Sequence, residues 1–486
     1  MLVCGVSISP CLWQRYAKPK PGEVFGWPYH RTWEFTSTNP IRSIFPLSLF
    51  YGFPLTVLKW ISEGLDYGKV SPRVAFYALR LLMFVHSFVL EDWALHELLP
   101  QPRERSIAIT LVASSYVTWT FQTHTFSNSI ETLLVLWCLV LVKRIRSERE
   151  LTMARACAAL AFLGILGTFN RITFPAFLVI PAVQLVPHLL HRPLRLPVML
   201  AVALLTMAIG ITMDTEFYTG LRPSLRTLAS NSIITPWNNL AYNLDTSNLA
   251  QHGLHPFWQH FAANLPQLIG PAFPLIFFST RTGTLFWSGI TGVVLLSCFR
   301  HQEARFLLPA VPLLLSSVKV SHRYARIWVG IWIVFNVLAG IVFGIYHQGG
   351  VVPVQTWVSK QDGIGSVMWW KTYSPPQWLL DGSNAWVQTK DLMGMPGPEM
   401  IKTVSSGIIC DEGANRTLLV VPGSSTFLDS YLELDSNNDV TLRPLWKYRQ
   451  HIGLDDLDFG DDGVWPTLQR VIGRRGLTVW DVKKKC

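Results

Sequence analysis

The chain has 486 residues, half of them apolar, and only 15% carry a formal charge. Soluble domains have about a quarter of their residues charged, so this composition, with its 20 Trp and 27 Phe, excludes an ordinary soluble protein and predicts a multispan membrane protein. The net charge of +10 arises in residues 1–350, because residues 351–486 carry 14 basic and 16 acidic side chains. Basic residues between spans set membrane orientation, so we infer a lipid bilayer and no nucleic acid as partner.

Residues 1–72 form an atypical N-terminal region. The first 40 residues contain neither an apolar stretch of about 20 residues nor a convincing signal peptide. Segment 44–61 is apolar, but Pro46, Gly52 and Pro54 interrupt it. We therefore expect an interfacial or re-entrant helix pair on the luminal side there, rather than a span.

Residues 73–346 form the predicted transmembrane domain. Pro and Gly interrupt many of its apolar segments, as helix bundles in membranes tolerate. The candidate spans, about ten in number, are 73–95, 106–122, 127–143, 154–169, 174–190, 197–213, 264–279, 283–299, 306–319 and 325–346.

The basic loops orient these spans. The Lys- and Arg-rich connections all fall on one side, which the positive-inside rule makes cytosolic; they are 101–106, 143–150, 191–195, 281–283 and 319–326. The luminal side then receives the connections that are rich in His, Asn, Thr and Trp, including QTHTFSNS, FNRITF, residues 214–263 and HQEARF. We expect the chemistry of the protein on that side.

Residues 347–486 resemble a small soluble domain on the luminal side. TLLVVPG (417–423) and LTVWDV (477–482) are typical of strands. Asn415 opens an Asn-Arg-Thr glycosylation sequon, which is used only in the lumen. The terminal KKKC matches a retrieval signal that is recognised in the cytosol, so we treat these lysines as a solvated tail. The predicted fold is thus an all-α polytopic membrane protein with a small C-terminal luminal α/β domain.

A bound metal has little support in the sequence. The seven cysteines show neither metal-ligand spacing nor a disulfide framework. His252, His255 and His260 lie in a long polar connection without helical i, i+4 spacing as a set. The acidic stretch 455–463 contains Asp-x-Asp, which some sugar transferases use for metal, but an ordinary acidic loop is favoured. A divalent metal therefore remains open and unsupported, and we name no cofactor.

Three hydrogen-bonding side chains stand at the lip of two apolar segments. His301, Glu303 and Arg305 interrupt SCFRHQEARFLLPAVPLLL, although burying charge in lipid costs several kcal/mol unless the charge is paired. Interfacial anchoring, with Arg305 snorkelling to water, explains a lone arginine. The alternating set instead favours a polar site for an anionic or hydroxyl-rich ligand.

A second polar group opens the span at 127–143. His124 precedes the span, Asn128 lies in its first turn and Glu131 lies about one turn inside. Asn128 and Glu131 share a helix face. A carboxylate within a membrane is a functional candidate, whereas Ser127 or Asn128 as N-cap with Glu131 near the positive helix end is a purely structural alternative. Both interpretations stay open.

Several segments resemble the multispan mannosyltransferases of glycosyltransferase family 22, which have the GT-C fold. They are THTFSNSIET, FNRITFPAF, TPWNNLAYNLD with NLAQHGLHP, HQEARFLLP and GIYHQGGVVP, and the resemblance runs from about residue 30 to the end. THTFSNSIE and the YNLD…HGLHP stretch are closer to one branch, which adds a fourth, α1,2-linked mannose to the third mannose of a GPI precursor.

The resemblance implies a multi-pass enzyme of the endoplasmic reticulum with a luminal active site. Dolichyl-phosphate mannose would be the donor and a GPI-precursor glycolipid the acceptor. In such an inverting transfer a carboxylate base deprotonates the acceptor hydroxyl, while cationic groups stabilise the departing phosphate. The substrate-binding residues implied are His301, Glu303, Arg305, His124, Asn128, Glu131, Arg42 and His255, with Arg305 and His301 on the phosphate and Glu303 orienting Arg305 or a sugar hydroxyl.

The catalytic base is not identified by the resemblance. The family has a first span followed by a luminal HPDE-like motif, and nothing before Thr32 matches either feature. The acidic residues ahead of segment 44–61 are Glu23 and Glu34. Glu34 lies in TWEF, which resembles a family segment, and is the candidate base. We expect a start at another methionine or a substituted first exon.

Three other functions compete with this one. A relative acting on the third GPI mannose or on N-glycan precursors is disfavoured by the YNLD…HGLHP stretch. A transporter or channel would show repeated halves or paired broken helices, and the sequence has no internal repeat. A truncated, inactive membrane scaffold remains an alternative because the acidic motif is not found.

Overall fold

A computed structural model describes the chain as a helical membrane part followed by a small sheet domain. The residues described are 25, 27, 32–147, 150–222, 224–250, 253–380, 387–408, 416–431, 440–457 and 463–484. A one-turn helix, Trp33–Thr36, precedes the membrane part.

Fourteen helices of the described chain make up the membrane part. In chain order they are α1 Ile44–Gly64, α2 Pro72–Leu98, α3 Pro102–Ser114, α4 Ser127–Arg146, α5 Glu150–Asn170, α6 Val179–His191, α7 Arg195–Thr219, α8 Leu225–Asn231, α9 Thr235–Leu244, α10 Thr246–Ala250, α11 His260–Phe278, α12 Thr284–Ser297, α13 Ala310–Leu315 and α14 His322–Tyr346.

Six of the described helices are long and apolar enough to cross a membrane, which is fewer than the predicted ten or so. They are α1, α2, α5 from Met153 onward, α7, α11 and α14. Helices α6 and α12 are apolar but shorter, and α4 carries Glu131 and a basic last turn. Several apolar segments of the sequence are thus short or interrupted helices.

Helix α4 is the central element and defines two sides of the molecule. Most of its residues are buried, and its 20 residues span about 30 Å. At its start, Ser127 Oγ accepts hydrogen bonds from Arg42 (3.4 Å) and Arg171 (3.1 Å). Near its end, the Lys143 ammonium donates to the carbonyl of Leu98 (3.2 Å). We call these the mouth side and the basic side.

Helix α1 starts and ends on the mouth side, although it is long and apolar enough to span. Its first residue, Ile44, comes two residues after Arg42, which contacts Ser127 at the mouth end of α4. Arg80 of α2 donates to His124 (2.8 Å), which also lies near the mouth end of α4. Because α2 runs on to Leu98 at the basic side, Pro72 lies at or beyond the mouth. The seven residues between α1 and α2 reach at most about 25 Å, so Gly64 cannot lie on the basic side.

The prediction of two helices in segment 44–61 is wrong. The structure has one continuous helix, in which a π-turn over Ser48–Gly52 absorbs the interruptions that Gly52 and Pro54 introduce. Phe53 and Trp60 are exposed on its second half, and Tyr67 is exposed just after it. Exposed aromatic side chains of this kind suit the membrane interface, in agreement with an interfacial position.

Glycines allow the membrane helices to approach one another closely. A Cβ atom at Gly292 of α12 would lie 2.2 Å from the ring of Phe177, and one at Gly210 of α7 would lie 2.7 Å from the ring of Phe169. Small residues at such contacts are typical of helix packing in membranes. They bring the mouth ends of α5, α7 and α12 together.

The C-terminal domain is a five-stranded sheet with helices. Its strands are β1 Ile364–Trp369, β2 Gln388–Asp391, β3 Arg416–Pro422, β4 Val440–Tyr448 and β5 Leu477–Lys484, in the order β2-β1-β3-β5-β4. Strand β1 runs parallel to β2 and β3, whereas β5 is antiparallel to β3 and β4. Its helices are α15 Val351–Val358, α16 Gly397–Ser406 and α17 Val464–Gly473.

The two predicted strands of this domain are β3 and β5. The predicted lysine tail is partly wrong, because Lys483 and Lys484 belong to β5. The sequon residue Asn415 lies outside the described residues, as do His252 and most of the acidic stretch after Asp456.

Backbone hydrogen bonds fasten the sheet domain to the mouth side. Gln348 N–H donates to the carbonyl of Ile452 (3.1 Å), whose own N–H donates to the carbonyl of Tyr346 (2.8 Å). Gly350 N–H donates to Nδ1 of buried His451 (3.2 Å). Burial, and then His347, lower the pKa of His451 to about 3, so this imidazole is neutral and can accept.

We predict that Tyr67 is accessible from the mouth side. In sealed vesicles and a cysteine-free background, Tyr67→Cys should react with an impermeant maleimide from the side opposite to that of Ser147→Cys at the end of α4, because α1 returns to its starting side. Labelling of both cysteines from the same side would contradict the fold described for α1.

Candidate active site

The segment between α12 and α13 forms a compact charged cluster. The Glu303 carboxylate holds Arg305, with Nε 2.5 Å from Oε2 and Nη2 donating to Oε1 (3.2 Å). His301 Nε2 donates to the same Oε1 (3.0 Å). Burial raises the pKa of Glu303, but the charges of Arg305 and His301 outweigh it and bring the pKa to about 2. Glu303 is therefore ionised, and it orients Arg305 and His301.

His301 is the third member of this cluster. Its second nitrogen, Nδ1, lies 3.2 Å from the carbonyl oxygen of Gly253. The imidazole ring is thus held between Gly253 and Glu303.

Gln302 points the other way and fixes the polar connection before α11. Its side-chain carbonyl accepts from the backbone N–H of His260 (2.9 Å), and its backbone N–H donates to His255 Nδ1 (3.3 Å). The rings of His255 and His301 are 6.0 Å apart. Burial, and then the charge of His301, lower the pKa of His255. The structure thus places His255 beside the cluster as a neutral imidazole.

Glu131 forms a second cluster at the mouth end of α4. The carboxylate is fully buried, lies 3.3 Å from Arg171 Nε, and accepts from Thr173 Oγ1 (2.5 Å) and from Asn128 Nδ2 (3.2 Å). Neither Ser127 nor Asn128 caps α4, because both lie inside the helix and its N-cap, Phe126, makes no side-chain cap bond. The N-cap interpretation is therefore wrong.

Arg42 and Arg171 join these clusters into one mouth. Arg42 forms an ion pair with buried Glu34 (2.9 Å) and shares Ser127 with Arg171. The guanidinium carbons of Arg171 and Arg305 lie 5.0 and 5.8 Å from the centre of the Phe306 ring. Two arginines thus flank one aromatic side chain, and Arg42 is linked to them through Ser127.

Asp214 anchors the chain that carries Arg42. Its buried carboxylate accepts from Ser43 Oγ (3.0 Å), Ile44 N–H (2.8 Å) and Thr235 Oγ1 (2.7 Å). It therefore caps the start of α1 and ties it to the end of α7 and the start of α9.

His124 pairs with a different arginine. Nε2 of the half-buried imidazole accepts from Arg80 Nη1 (2.8 Å). Burial, and then the charge of Arg80, hold the pKa of His124 well below its usual range. This predicted site residue is neutral and lies beside α2 instead of in the Glu303 cluster.

Comparisons with known proteins identify the chain's relatives. Residues 12–380 match the sequence model of the Alg9-like mannosyltransferase family. The chain belongs to this family. Proteins named GPI mannosyltransferase 4 from Aspergillus oryzae and Emericella nidulans are each 46% identical to it, over 95% and 94% of this chain and 93% and 91% of theirs. The protein of that name from Saccharomyces cerevisiae is 30% identical over 99% of this chain and 98% of its own. No solved structure matches.

Sequence analysis missed three residues of this Alg9-like mannosyltransferase. Arg171 lies in the FNRITF stretch, Arg80 inside a predicted span and Asp214 at the end of another. Each is a lone charge in apolar surroundings, which is by itself a signal for a functional or paired residue.

The described residues contain no cluster of potential metal ligands. Among those residues, no three His, Cys, Asp or Glu side chains come together as an ion would require.

We predict that Arg171→Met lowers the free energy of unfolding by about 3–5 kcal/mol, because it leaves Glu131 buried without its cation. Denaturant unfolding in detergent micelles measures this, and adding Glu131→Gln should restore most of the loss. The matched control is Lys59→Met, because Lys59 Nζ lies 3.9 Å from a carboxylate oxygen of the exposed residue Glu63. This variant should change stability by less than about 1 kcal/mol. An equal loss of unfolding free energy in Arg171→Met and in Lys59→Met would contradict the role given to Arg171.

Proposed function

We propose that this chain transfers mannose from dolichyl-phosphate mannose, in α1,2 linkage, to the third mannose of a GPI-anchor precursor. The names of its relatives support the GPI pathway, and the charged mouth supports a phosphate leaving group. In this proposal the mouth faces the lumen of the endoplasmic reticulum, where the donor and acceptor glycans are held at the membrane surface.

One observation carries the proposal: the Glu303 carboxylate holds the guanidinium of Arg305 and the imidazole of His301 together at the mouth. As the acceptor oxygen attacks the anomeric carbon, the bond from that carbon to the phosphate oxygen breaks and its electron pair leaves with dolichyl phosphate. Arg305 and His301, already oriented by Glu303, stabilise the negative charge that develops on the phosphate. They need no reorganisation during the step.

Glu34 is the carboxylate that we propose as base. At the mouth, Glu303 is held by Arg305 and His301 and Glu131 by three donors, whereas Glu34 pairs with Arg42. A carboxylate with a lone pair to spare can accept the acceptor hydroxyl proton as the oxygen attacks. Arg42, which also contacts Ser127, keeps Glu34 in place.

The proposed reaction is tested in membranes from cells that lack GPI mannosyltransferase 4. Expression of this chain should restore transfer of labelled mannose from dolichyl-phosphate mannose to the three-mannose GPI precursor. An α1,2-mannosidase should then release the label. Transfer only to a shorter GPI precursor or to an N-glycan precursor would replace the proposed acceptor, and no transfer at all would support the inactive scaffold.

We predict that Arg305→Ala lowers transfer by about 10²–10³-fold, the usual loss for a group that stabilises developing charge, while the protein stays in the membrane. Arg305→Lys keeps the charge but not the paired contacts to Glu303, so it should recover only part of the rate. Arg103→Ala, at the start of α3, is the matched control and should leave transfer unchanged. Unaltered transfer by Arg305→Ala would refute its role.

We predict that Glu34→Gln abolishes detectable transfer without loss of protein, because the amide cannot accept the hydroxyl proton. The same membrane assay measures transfer, and Glu34→Asp should retain a fraction of it. A fully active Glu34→Gln variant would assign the base to another carboxylate.

A further inference from the structure

The C-terminal domain contains a cleft of about 550 Å³ that is separate from the mouth. It lies where β3 ends and β5 begins, beside the middle of β4 and the end of α17. Trp480 contributes aromatic surface to it, and Lys447, Arg474, Asp429 and Ser425 contribute polar groups. An apolar lining with a few convergent polar groups is typical of small-molecule sites.

Two glycines leave room for the side chain of Lys447, which is exposed at the cleft. A Cβ atom at Gly476 would lie 2.5 Å from Lys447 Cε, and one at Gly423 would lie 3.5 Å from Lys447 Nζ. Gly476 also has a φ of 128°, which residues with a side chain rarely adopt. The lysine stem therefore lies across a turn that has no room for other side chains.

The cleft carries excess positive charge. Arg474 is neutralised by Asp429, which accepts from both of its terminal nitrogens at 2.6 Å. Lys447 instead faces further cations. Partial burial, and then the charges of Arg474, Arg449 and Arg475, lower its pKa. An anion bound here would relieve this repulsion, and phosphate accepts hydrogen bonds from both lysine and arginine.

Trp480 supplies the aromatic surface beside Lys447. It is partly buried on β5, and Lys447 pairs with Thr478, two residues before it, so both side chains lie on one face of the sheet. Trp446 stacks on Trp357 of α15, with ring centres 5.6 Å apart, on the opposite face. The electron-rich face of an indole ring suits the C–H edge of a pyranose, so the cleft offers a sugar surface next to this lysine.

We propose that this cleft binds a phosphate-bearing saccharide. Such a site would be an accessory glycan site, because it lies in the sheet domain and not beside the Glu303 cluster. It goes beyond the proposed function, since binding at the cleft requires no transfer at the mouth.

The test measures binding to the full-length protein in nanodiscs by saturation-transfer NMR. Mannose 6-phosphate should bind, and mannose and inorganic phosphate should each bind at least tenfold more weakly. Lys447→Gln should weaken mannose 6-phosphate about tenfold, as expected for loss of one charge-assisted bond. Arg443→Gln, an exposed cation on the same strand, is the matched control and should bind as the unaltered protein does.

Three results would overturn the proposal: equal binding of mannose and mannose 6-phosphate, equal binding of inorganic phosphate, or unchanged binding by Lys447→Gln. Nanodiscs that contain phosphatidylinositol separate the two sources of such a ligand. Weaker mannose 6-phosphate binding there than in phosphatidylcholine alone supports a lipid-linked sugar phosphate, and equal binding supports a free one. Because this test measures binding and not transfer, a negative result would overturn the cleft proposal without affecting the proposed mannosyltransferase activity.

Discussion

A charged side chain removed from water must find an opposite charge, and this constraint organises the mouth of the protein. Each of three buried or half-buried arginines is held by a carboxylate, namely Arg42 by Glu34, Arg171 by Glu131 and Arg305 by Glu303. In surroundings of low dielectric, a lone member of such a pair would cost several kcal/mol. The Arg171–Glu131 pair ties the connection after α5 to α4, whereas the other two pairs each stabilise the local conformation of one short segment.

The apolar framework makes this arrangement possible. Aromatic rings fill the places where glycines lack a side chain, as Phe177 does against Gly292, and the helix ends that carry charge converge as a result. Asp214 performs a related task by capping α1. Rigid packing then keeps Arg305 and His301 in place before a phosphate arrives, which is the condition for effective stabilisation of developing charge.

Most residues of the mouth were predicted from the sequence, but their pairing was not. The alternation of His301, Glu303 and Arg305 between apolar runs marked a polar site, and the structure joins these three residues through one carboxylate. Arg171 was missed although Glu131 was found, because no partner for this arginine lies near it in the sequence. Which acid it neutralises depends on how α4 and α5 pack.

Composition and hydropathy alone establish a helical membrane protein with a polar domain after residue 347, because burial in lipid demands long apolar helices with internal hydrogen bonds. They also place the two strands β3 and β5. Only the tertiary structure decided that α1 returns to the side it started from, that His124 pairs with Arg80, and that Glu131 is an ion-pair partner and not part of a cap. These outcomes depend on contacts between residues far apart in the chain, and a local sequence pattern does not contain the distances between them.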